Sequence, residues 1–147
     1  IIRSSLVYGK NVPGNFGTLL KVAKKNLPLP LGAINNRRSF VFIDNLVDFI
    51  VTCIDHPNAA NQTFLVSDGE DISTSNLLKK LTLAAGNKPC LIPMPVSFLK
   101  FLAAMVGKKE AVERFSSSLT VDMENTKKTL NWSPPITLDE GIRRCFK

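Results

Sequence analysis

The stretch NRRSFVFIDNLVDFI, residues 36–50, places two arginines directly before a dense run of apolar residues. Residues 40–43 are apolar and β-favouring, which predicts a short buried strand. Asp44 is typical of a helix N-cap, and apolar residues recur behind it at helical spacing as far as Pro57. The stretch therefore predicts a strand leading into a helix over residues 44–56. The arginine before that strand is either a surface charge or a clamp for an anion.

The rest of the chain alternates strands and helices in the same way. Apolar runs predict strands over residues 2–7 and 62–66, and periodic segments predict helices from Phe16 to Lys25 and from Ser73 to Gly86. An apolar helix after Pro95, a charged helix over 109–115 and a helix capped by Asp122 follow. The pair Thr137 and Glu140 has the spacing of a capping box before a last helix. This order predicts an α/β protein with strands from a parallel sheet.

Composition is that of an ordinary globular protein. The chain has 147 residues, of which 44% are hydrophobic and 21% charged, with a formal charge of +7. It starts inside a strand pattern and without methionine, so we expect residues 1–147 to be a single fragment of a longer protein. Three distant cysteines, Cys53, Cys90 and Cys145, fit neither a disulfide framework nor a zinc signature. A reducing, cytoplasmic location is the expectation.

Several classes of site are disfavoured by the sequence. The single histidine, His56, is expected to cap helix carbonyls and has no partners for a metal site. Asp68, Glu70 and Asp71 lack the spacing of a calcium loop and predict a solvated turn. The basic residues are scattered without a nucleic-acid-binding motif. The most apolar stretch, VSFLKFLAAMVG, is too short to span a membrane. We expect neither nucleic acid nor membrane as a partner.

Dinucleotide and catalytic signatures are also missing from this chain. Gly14 and Gly17 lack the third glycine of a dinucleotide fingerprint. Tyr8 is the single tyrosine, and four residues later the chain has Val12 in place of lysine, so a Tyr-x-x-x-Lys pair is absent. We therefore expect no catalytic residue here and no binding of NAD or NADP by this chain alone.

Five segments together resemble the C-terminal half of extended short-chain dehydrogenases: RSSLVYG, PLPLG, RRSFVFIDNLVDFI, TFLVSDGE and VDMENTKKTLNWSPPITLDEGIR. More narrowly, they resemble nucleotide-sugar epimerases and reductases of the UDP-galactose 4-epimerase type. The resemblance implies that strands 2–7 and 62–66 belong to a Rossmann-type parallel sheet and that the remainder forms a small α/β substrate-binding domain. It also implies that an N-terminal half, absent from this chain, carries the NAD(P) fingerprint and the Tyr-x-x-x-Lys pair.

The resemblance assigns roles at the diphosphate of a UDP-sugar. Arg38 occupies the position of an arginine that contacts the pyrophosphate, and a guanidinium fork matches phosphate geometry. Arg37 is then the surface residue. Asn15 matches an asparagine that also reaches the diphosphate, with an ordinary helix N-cap as its alternative role.

Further positions are implied around the nucleotide. Leu29 matches a residue that supplies backbone beside the pyrimidine base, and Leu31 matches one that supplies an apolar face. Arg114 resembles a second arginine reaching the nucleotide, with a solvent-exposed arginine as the alternative. Leu6 stands where the family often has asparagine, which puts the usual sugar-side contact in doubt and favours a subgroup acting on altered sugars.

Three functions remain open at this point. The first is the nucleotide-sugar-binding part of an NAD(P)-dependent UDP-sugar 4-epimerase. The second is the same part of a C4-reductase of a UDP-4-keto-6-deoxy sugar. The third is a non-catalytic binding module without the cofactor half. The expected partners are a UDP-sugar, the missing N-terminal half and a further copy of the chain through self-association.

Overall fold

The structure, a computed structural model, describes residues 1–12 and 14–147 except for the side chain of Asn15. Within the described residues, strands and helices alternate over about the first half of the chain and five consecutive helices follow, which confirms the predicted α/β class. The elements are β1 Ile2–Ser4, β2 Leu6–Tyr8, α1 Asn15–Lys25, β3 Arg38–Phe42, α2 Ile43–Asp55, a 3₁₀ turn Pro57–Ala59, β4 Phe64–Val66, β5 Asp71–Ile72, α3 Thr74–Ala84, α4 Val96–Met105, α5 Lys109–Ser116, α6 Glu124–Leu130 and α7 Leu138–Arg144.

The chain divides into two compact units. The first unit consists of Ile1–Pro13, Ser39–Asp71 and Thr120–Lys147, and the second consists of Gly14–Arg38 and Ile72–Leu119. The first unit therefore holds most of the strands with α2, α6 and α7. The second unit holds α1, α3, α4 and α5.

The strand predicted over residues 2–7 is two strands. β1 pairs in parallel with β4, with Ile2 opposite Phe64. β2 pairs in parallel with β3, with Leu6 opposite Phe40, and the order of that sheet is β2-β3-β5. The chain changes partner at Ser5, whose N–H donates to the Val66 carbonyl at 3.0 Å. Apolar periodicity reports which residues are buried but carries no information on which strand lies alongside, so the break was not predictable.

Aromatic residues from α2, from β4 and from the segment after α6 form the core of the first unit. The ring of Phe49 in α2 meets Phe64 of β4 at 6.1 Å and Trp132 at 4.8 Å, both edge to face. The indole N–H of Trp132 donates to Asp48 at 2.7 Å. Around them lie Val41, Val66, Met123 and Leu130. The core thus closes α2 and the segment after α6 over β3 and β4.

The N-cap predicted for Asp44 is wrong. α2 begins at Ile43 directly after β3, so Phe42 is the N-cap residue and Asp44 lies in the first turn. Phe42 has no side-chain acceptor of its own, and its N–H donates instead to the carboxylate of Asp68 at 3.0 Å. A residue 26 positions later therefore bonds the backbone at this helix start.

Asp68 is also not the solvated turn residue that its acidic neighbours suggested, because only 7% of it is exposed. Its carboxylate accepts from the Tyr8 hydroxyl at 2.8 Å and from the Asn45 amide at 2.8 Å. Asn45 in turn bonds the backbone of Ile136 in both directions, at 2.8 and 3.0 Å. Burial raises the pKa of the Asp68 carboxyl. Burial and then the charge of Asp68 raise the pKa of Tyr8.

The caps predicted at Ser73 and Thr137 are present at those residues, and the cap predicted at Asp122 is shifted by one residue. The hydroxyls of Ser73 and Thr137 accept from backbone N–H groups three residues later, at 3.2 and 3.4 Å. The Asp122 carboxylate accepts from Glu124 N–H at 2.8 Å, although Met123 takes the N-cap position. The prediction that the ring of His56 caps helix carbonyls is wrong. Its Nδ1 accepts a hydrogen bond from Asn58 N–H at 3.2 Å, in the 3₁₀ turn that follows α2.

In the second unit, α3 packs against α1. Leu77, Leu78 and Leu81 of α3 are buried in the part of this unit that contacts α1. The amide of Asn87 donates to the Ala23 carbonyl at 3.0 Å, which joins the loop after α3 to the end of α1.

We predict that Asp68→Asn changes the pH dependence of stability. Because burial raises the folded-state pKa of Asp68, its stabilising contribution is complete at low pH and is lost as pH rises through the folded pKa. The ordinary pKa of an aspartate is 3.8. The free energy of unfolding of the natural chain, relative to that of Asp68→Asn, should therefore fall as pH rises above this value. Denaturant unfolding of both chains across that range measures it, and a constant difference would contradict the prediction.

Candidate functional site

All five residues assigned to nucleotide-sugar binding lie in the second unit. Leu29, Leu31, Arg38 and Arg114 are described by the structure. Asn15 begins α1, but its side chain lies outside the described residues, so its predicted contact with a diphosphate stays a prediction. The site is therefore built from the segment 27–38, the start of α3, the loop 90–92 and the end of α5.

Arg38 is held at the start of β3 by the segment that follows α5. Its Nη1 donates to the backbone carbonyl of Arg114 at 2.6 Å. Arg38 also forms a parallel β-bridge with Leu119, whose N–H donates to the Arg37 carbonyl at 2.9 Å. The side chain is half-buried. A guanidinium has five N–H donors in a planar fork, and this contact orients the fork while using one of them.

Arg114 contributes to this arrangement through its backbone. Its side chain is 71% exposed and lies 3.9 Å from Glu110, which is the solvent-exposed alternative weighed from the sequence. It also borders a surface depression of about 570 Å³ whose lining includes Lys108, Lys109 and Ala111. The structure thus brings Arg38 and Arg114 together, although the contact is between a guanidinium and a carbonyl.

Asn36 is a residue of the site that the sequence analysis did not single out, and both ends of its side-chain amide are hydrogen-bonded. It is 6% exposed. Its amide nitrogen donates to the carbonyls of Phe115 at 3.0 Å and Ser117 at 2.8 Å, and its amide oxygen accepts from Thr74 N–H at 2.8 Å. One side chain therefore connects the segment before Arg38 to α3 and to the end of α5. Nothing in the sequence distinguishes Asn36 from its exposed neighbour Asn35.

The segment around Leu29 is fixed by a short parallel pairing. Leu29 N–H donates to the Cys90 carbonyl at 3.0 Å, and its own carbonyl accepts from Ile92 N–H at 2.8 Å. Gly32 N–H donates to the Ile92 carbonyl at 3.0 Å. A Cβ at Gly32 would lie 3.0 Å from the backbone of Ile92, so the close approach favours glycine. The Leu29 carbonyl keeps a second lone pair for a further donor.

The first turn of α3 holds the remainder of the segment. The buried Ser75 hydroxyl lies within hydrogen-bond distance of the carbonyls of Leu31 and Ile34, which share its single O–H, and it accepts from Ile34 N–H at 3.1 Å. The hydroxyl of Thr74 donates to the Phe115 carbonyl at 2.7 Å. Leu31 is half-buried with its carbonyl bonded in this way. The backbone of residues 29–38 is therefore shaped by buried polar contacts before any ligand is considered.

This site is suited to binding an anion and offers little for acid–base chemistry. Arg37, Arg38 and Arg114 supply positive charge, and arginine keeps its charge at any relevant pH. Among the described residues, no group of His, Cys, Asp or Glu side chains could hold a metal ion. No helix in the described part of the chain is long and apolar enough to cross a membrane.

Comparisons with known proteins agree with this fold. The chain is 48% identical over 145 residues to UDP-glucose 4-epimerase of Vibrio cholerae, covering 98% of this chain and 44% of that protein. It is 20% identical over 143 residues to dTDP-4-dehydro-6-deoxyglucose reductase of Escherichia coli, covering 95% of this chain and 40% of that protein. No protein-family model matches the chain.

Solved structures show the same fold. UDP-N-acetylglucosamine 4-epimerase of Bacillus cereus superimposes with a TM-score of 0.75 at 17% identity, over 99% of this chain and 46% of that one. A human epimerase family protein with NADPH superimposes with a TM-score of 0.73 at 15% identity, over 99% of this chain and 47% of that one.

The chain thus spans less than half the length of the relatives it matches. Its fold and these matches confirm that it corresponds to the C-terminal half of an extended short-chain dehydrogenase/reductase. Within that class, its sequence places it in the nucleotide-sugar epimerase/reductase family.

We predict that Asn36→Ala strongly destabilises the second unit. The change leaves the Thr74 N–H and the Ser117 carbonyl without their partner and removes one of the two donors to the Phe115 carbonyl, which should cost about 2 kcal/mol. Asn35→Ala, at the exposed neighbouring position, is the matched control and should change stability little. Denaturant unfolding of the two variants tests this, and equal effects would contradict the assigned role of Asn36.

Proposed function

We propose that this chain is the nucleotide-sugar-binding part of an NAD(P)-dependent UDP-sugar 4-epimerase. The observation that carries the proposal is the placement of Arg38. Its guanidinium is half-buried and oriented by the Arg114 carbonyl, and an arginine fixed in this way can present a fork of N–H donors to a pyrophosphate. Arg38 would bind the diphosphate, and Asn15 would add a second contact.

The relatives support this choice of ligand. The UDP-glucose 4-epimerase of Vibrio cholerae and the dTDP-4-dehydro-6-deoxyglucose reductase of Escherichia coli differ in reaction, but both names refer to a sugar carried on a pyrimidine nucleoside diphosphate and to its 4-position. The shared element is thus the nucleotide, which is what a pyrophosphate clamp at Arg38 would bind. The segment with Leu29 and Leu31 would flank the base, and Arg114 would supply further positive charge.

This half of the longer protein would contribute positioning. A nicotinamide cofactor bound by the other half would accept and return a hydride at the sugar C4. The present chain does not supply the glycine-rich phosphate cradle for that cofactor, because Gly14 and Gly17 lack the third glycine of a dinucleotide fingerprint. Its residues would clamp the diphosphate so that the sugar faces the cofactor, and rigid placement of this kind lowers the barrier without any proton transfer from the clamp itself.

A C4-reductase is the second candidate, and the residue that favours it is Leu6. Leu6 lies in β2 opposite Phe40 of β3, and 38% of its surface is exposed. The family often has a polar asparagine at this position. An apolar residue there fits a sugar with fewer hydroxyls, such as a 4-keto-6-deoxy sugar.

A non-catalytic binding module is the third candidate, and a dinucleotide fingerprint with a Tyr-x-x-x-Lys pair in the upstream reading frame would eliminate it.

The free state of Cys53, Cys90 and Cys145 fits a cytoplasmic location for the longer protein.

The Arg38 role predicts a specific loss of affinity. In the longer protein, Arg38→Ala should cost about 2 to 4 kcal/mol of UDP-sugar binding, because it removes one partner of a desolvated charge pair. Arg37→Ala is the matched control at the exposed neighbouring position and should cost much less. Calorimetry with UDP measures both, and equal, small losses would return Arg38 to the role of a surface charge.

We predict that the 147-residue chain alone neither turns over UDP-hexoses nor binds NAD(H). The phosphate cradle and the catalytic pair are absent from its sequence, so hydride transfer has no acceptor site. Fluorescence titration with NADH and a coupled epimerase assay test this on the purified chain. Turnover of UDP-hexoses or binding of NADH would contradict the proposal that this chain lacks the cofactor-binding half.

We also propose that the N-terminal half of the longer protein covers an apolar surface of the first unit. Leu65 of β4 is 36% exposed between buried Phe64 and Val66, so one face of the β1–β4 pair is uncovered. Four apolar residues also form an exposed stripe on α2 at helical spacing, the α2 stripe: Val47, Ile50, Val51 and Ile54. Parallel sheets are normally covered on both faces, and exposed apolar surfaces of this kind recruit other chains.

Without that cover, this chain should self-associate. Light scattering over a concentration series should give a mass above that of a monomer, and Val51→Gln with Ile54→Gln should lower it, because the variants remove part of the α2 stripe. A monodisperse monomer of the natural chain at high concentration would contradict the proposal.

A further inference from the structure

α4 carries a second exposed apolar surface, in the second unit. Two of its residues, Leu99 and Ala103, face inwards and are buried. Four others are exposed and recur at positions i, i+3, i+4 and i+7, so they lie on one face of the helix. This α4 stripe consists of Phe98, Phe101, Leu102 and Met105. Val106, just after the helix, continues it and is 68% exposed.

α4 is apolar except for Ser97 and Lys100, and a helix with apolar residues on most of its sides is normally buried. α4 has 10 residues, about half the length needed to cross a bilayer. The α4 stripe therefore suits contact with an apolar layer that the helix does not cross. A helix that lies in the plane of a membrane surface with its apolar face inserted makes contact of this kind.

Positive charge lies next to the α4 stripe. Gly107 has a φ of 70°, and Lys108 N–H donates to the Ala103 carbonyl at 2.7 Å, which closes a tight turn at the helix end. Lys108 and Lys109 therefore follow directly on the exposed Met105 and Val106. Residues 96–117 contain four Lys or Arg and two Glu, a balance of +2. The two glutamates belong to α5, where they lie about 4 Å from Arg114 and Lys109.

The α2 stripe has the opposite charge. Its helix carries Asp44, Asp48 and Asp55 and no lysine or arginine, a balance of −3, although Asp44 lies 3.5 Å from Arg144 of α7. An anionic surface would repel it, whereas a complementary protein face would not. The two stripes expose similar apolar side chains, so the charge around each stripe indicates which kind of partner it binds.

We propose that the α4 stripe, with Lys108 and Lys109, docks on an anionic phospholipid membrane surface. The apolar side chains would enter the boundary between headgroups and acyl chains, and the two lysines would pair with lipid phosphates. This inference goes beyond the nucleotide-sugar site and does not depend on it. It departs from the expectation of no membrane partner, because the length of the stretch excludes only a span.

The test is flotation of the purified chain with vesicles of phosphatidylcholine alone and with vesicles containing an equal amount of phosphatidylglycerol. We expect binding to the anionic vesicles and little to the neutral ones. Lys108→Gln with Lys109→Gln should weaken anionic binding about thirtyfold, from the attraction of each lysine to such a surface. Phe101→Gln with Met105→Gln should weaken it at least about tenfold through the lost apolar contact.

Val51→Gln with Ile54→Gln is the matched control, because these α2 positions are exposed to a similar degree but lie beside aspartates. It should leave vesicle binding unchanged. All substituted side chains are exposed, and circular dichroism checks that each variant is folded. Equal binding to both vesicle types, no binding, or loss in the α2 control would overturn the proposal. So would an α4 variant that lowers the mass in light scattering but binds vesicles normally, because a second copy would then cover the α4 stripe.

Discussion

Both ends of β3 depend on buried polar side chains whose hydrogen bonds are satisfied by distant residues. Before the strand, the Asn36 amide bonds three backbone groups within the second unit. After it, the Asp68 carboxylate bonds the backbone of Phe42 and the side chains of Tyr8 and Asn45 within the first unit. A buried polar group left without a partner is costly, so these contacts restrict where β3 can begin and end. Arg38 is the first residue of that strand, and its position follows from them.

The candidate site is therefore made by backbone placement. Ser75 and Thr74 at the start of α3 bond the segment that contains Leu31 and the loop after α5. Among the residues that the structure describes, the guanidinium of Arg38 is oriented by a carbonyl and not by an acid. A carboxylate partner would neutralise part of its charge, whereas a carbonyl leaves the guanidinium cationic and able to attract phosphate. This is a physical reason for associating the site with a diphosphate.

The two exposed apolar stripes have similar composition and different surroundings. Apolar exposure alone says that a surface is covered by something, but it does not say by what. The aspartates of α2 favour a protein neighbour, such as the other half of a longer chain. The lysines after α4 favour an anionic surface. In a chain with a formal charge of +7, the distribution of charge is more informative than its sum.

The sequence by itself determined the α/β class, the bounds of most helices to within one or two residues and the family. It did so because periodicity, caps such as Ser73 and Thr137, and turn residues act between neighbours in the chain. It also singled out Arg38. The tertiary structure alone decided that Asp68 is buried, that Phe42 and not Asp44 is the N-cap residue of α2, that the first strand divides at Ser5 and that Asn36 supports the site. Each of these depends on a partner 26 or more residues away, and contacts at that separation leave no periodic signal in the sequence.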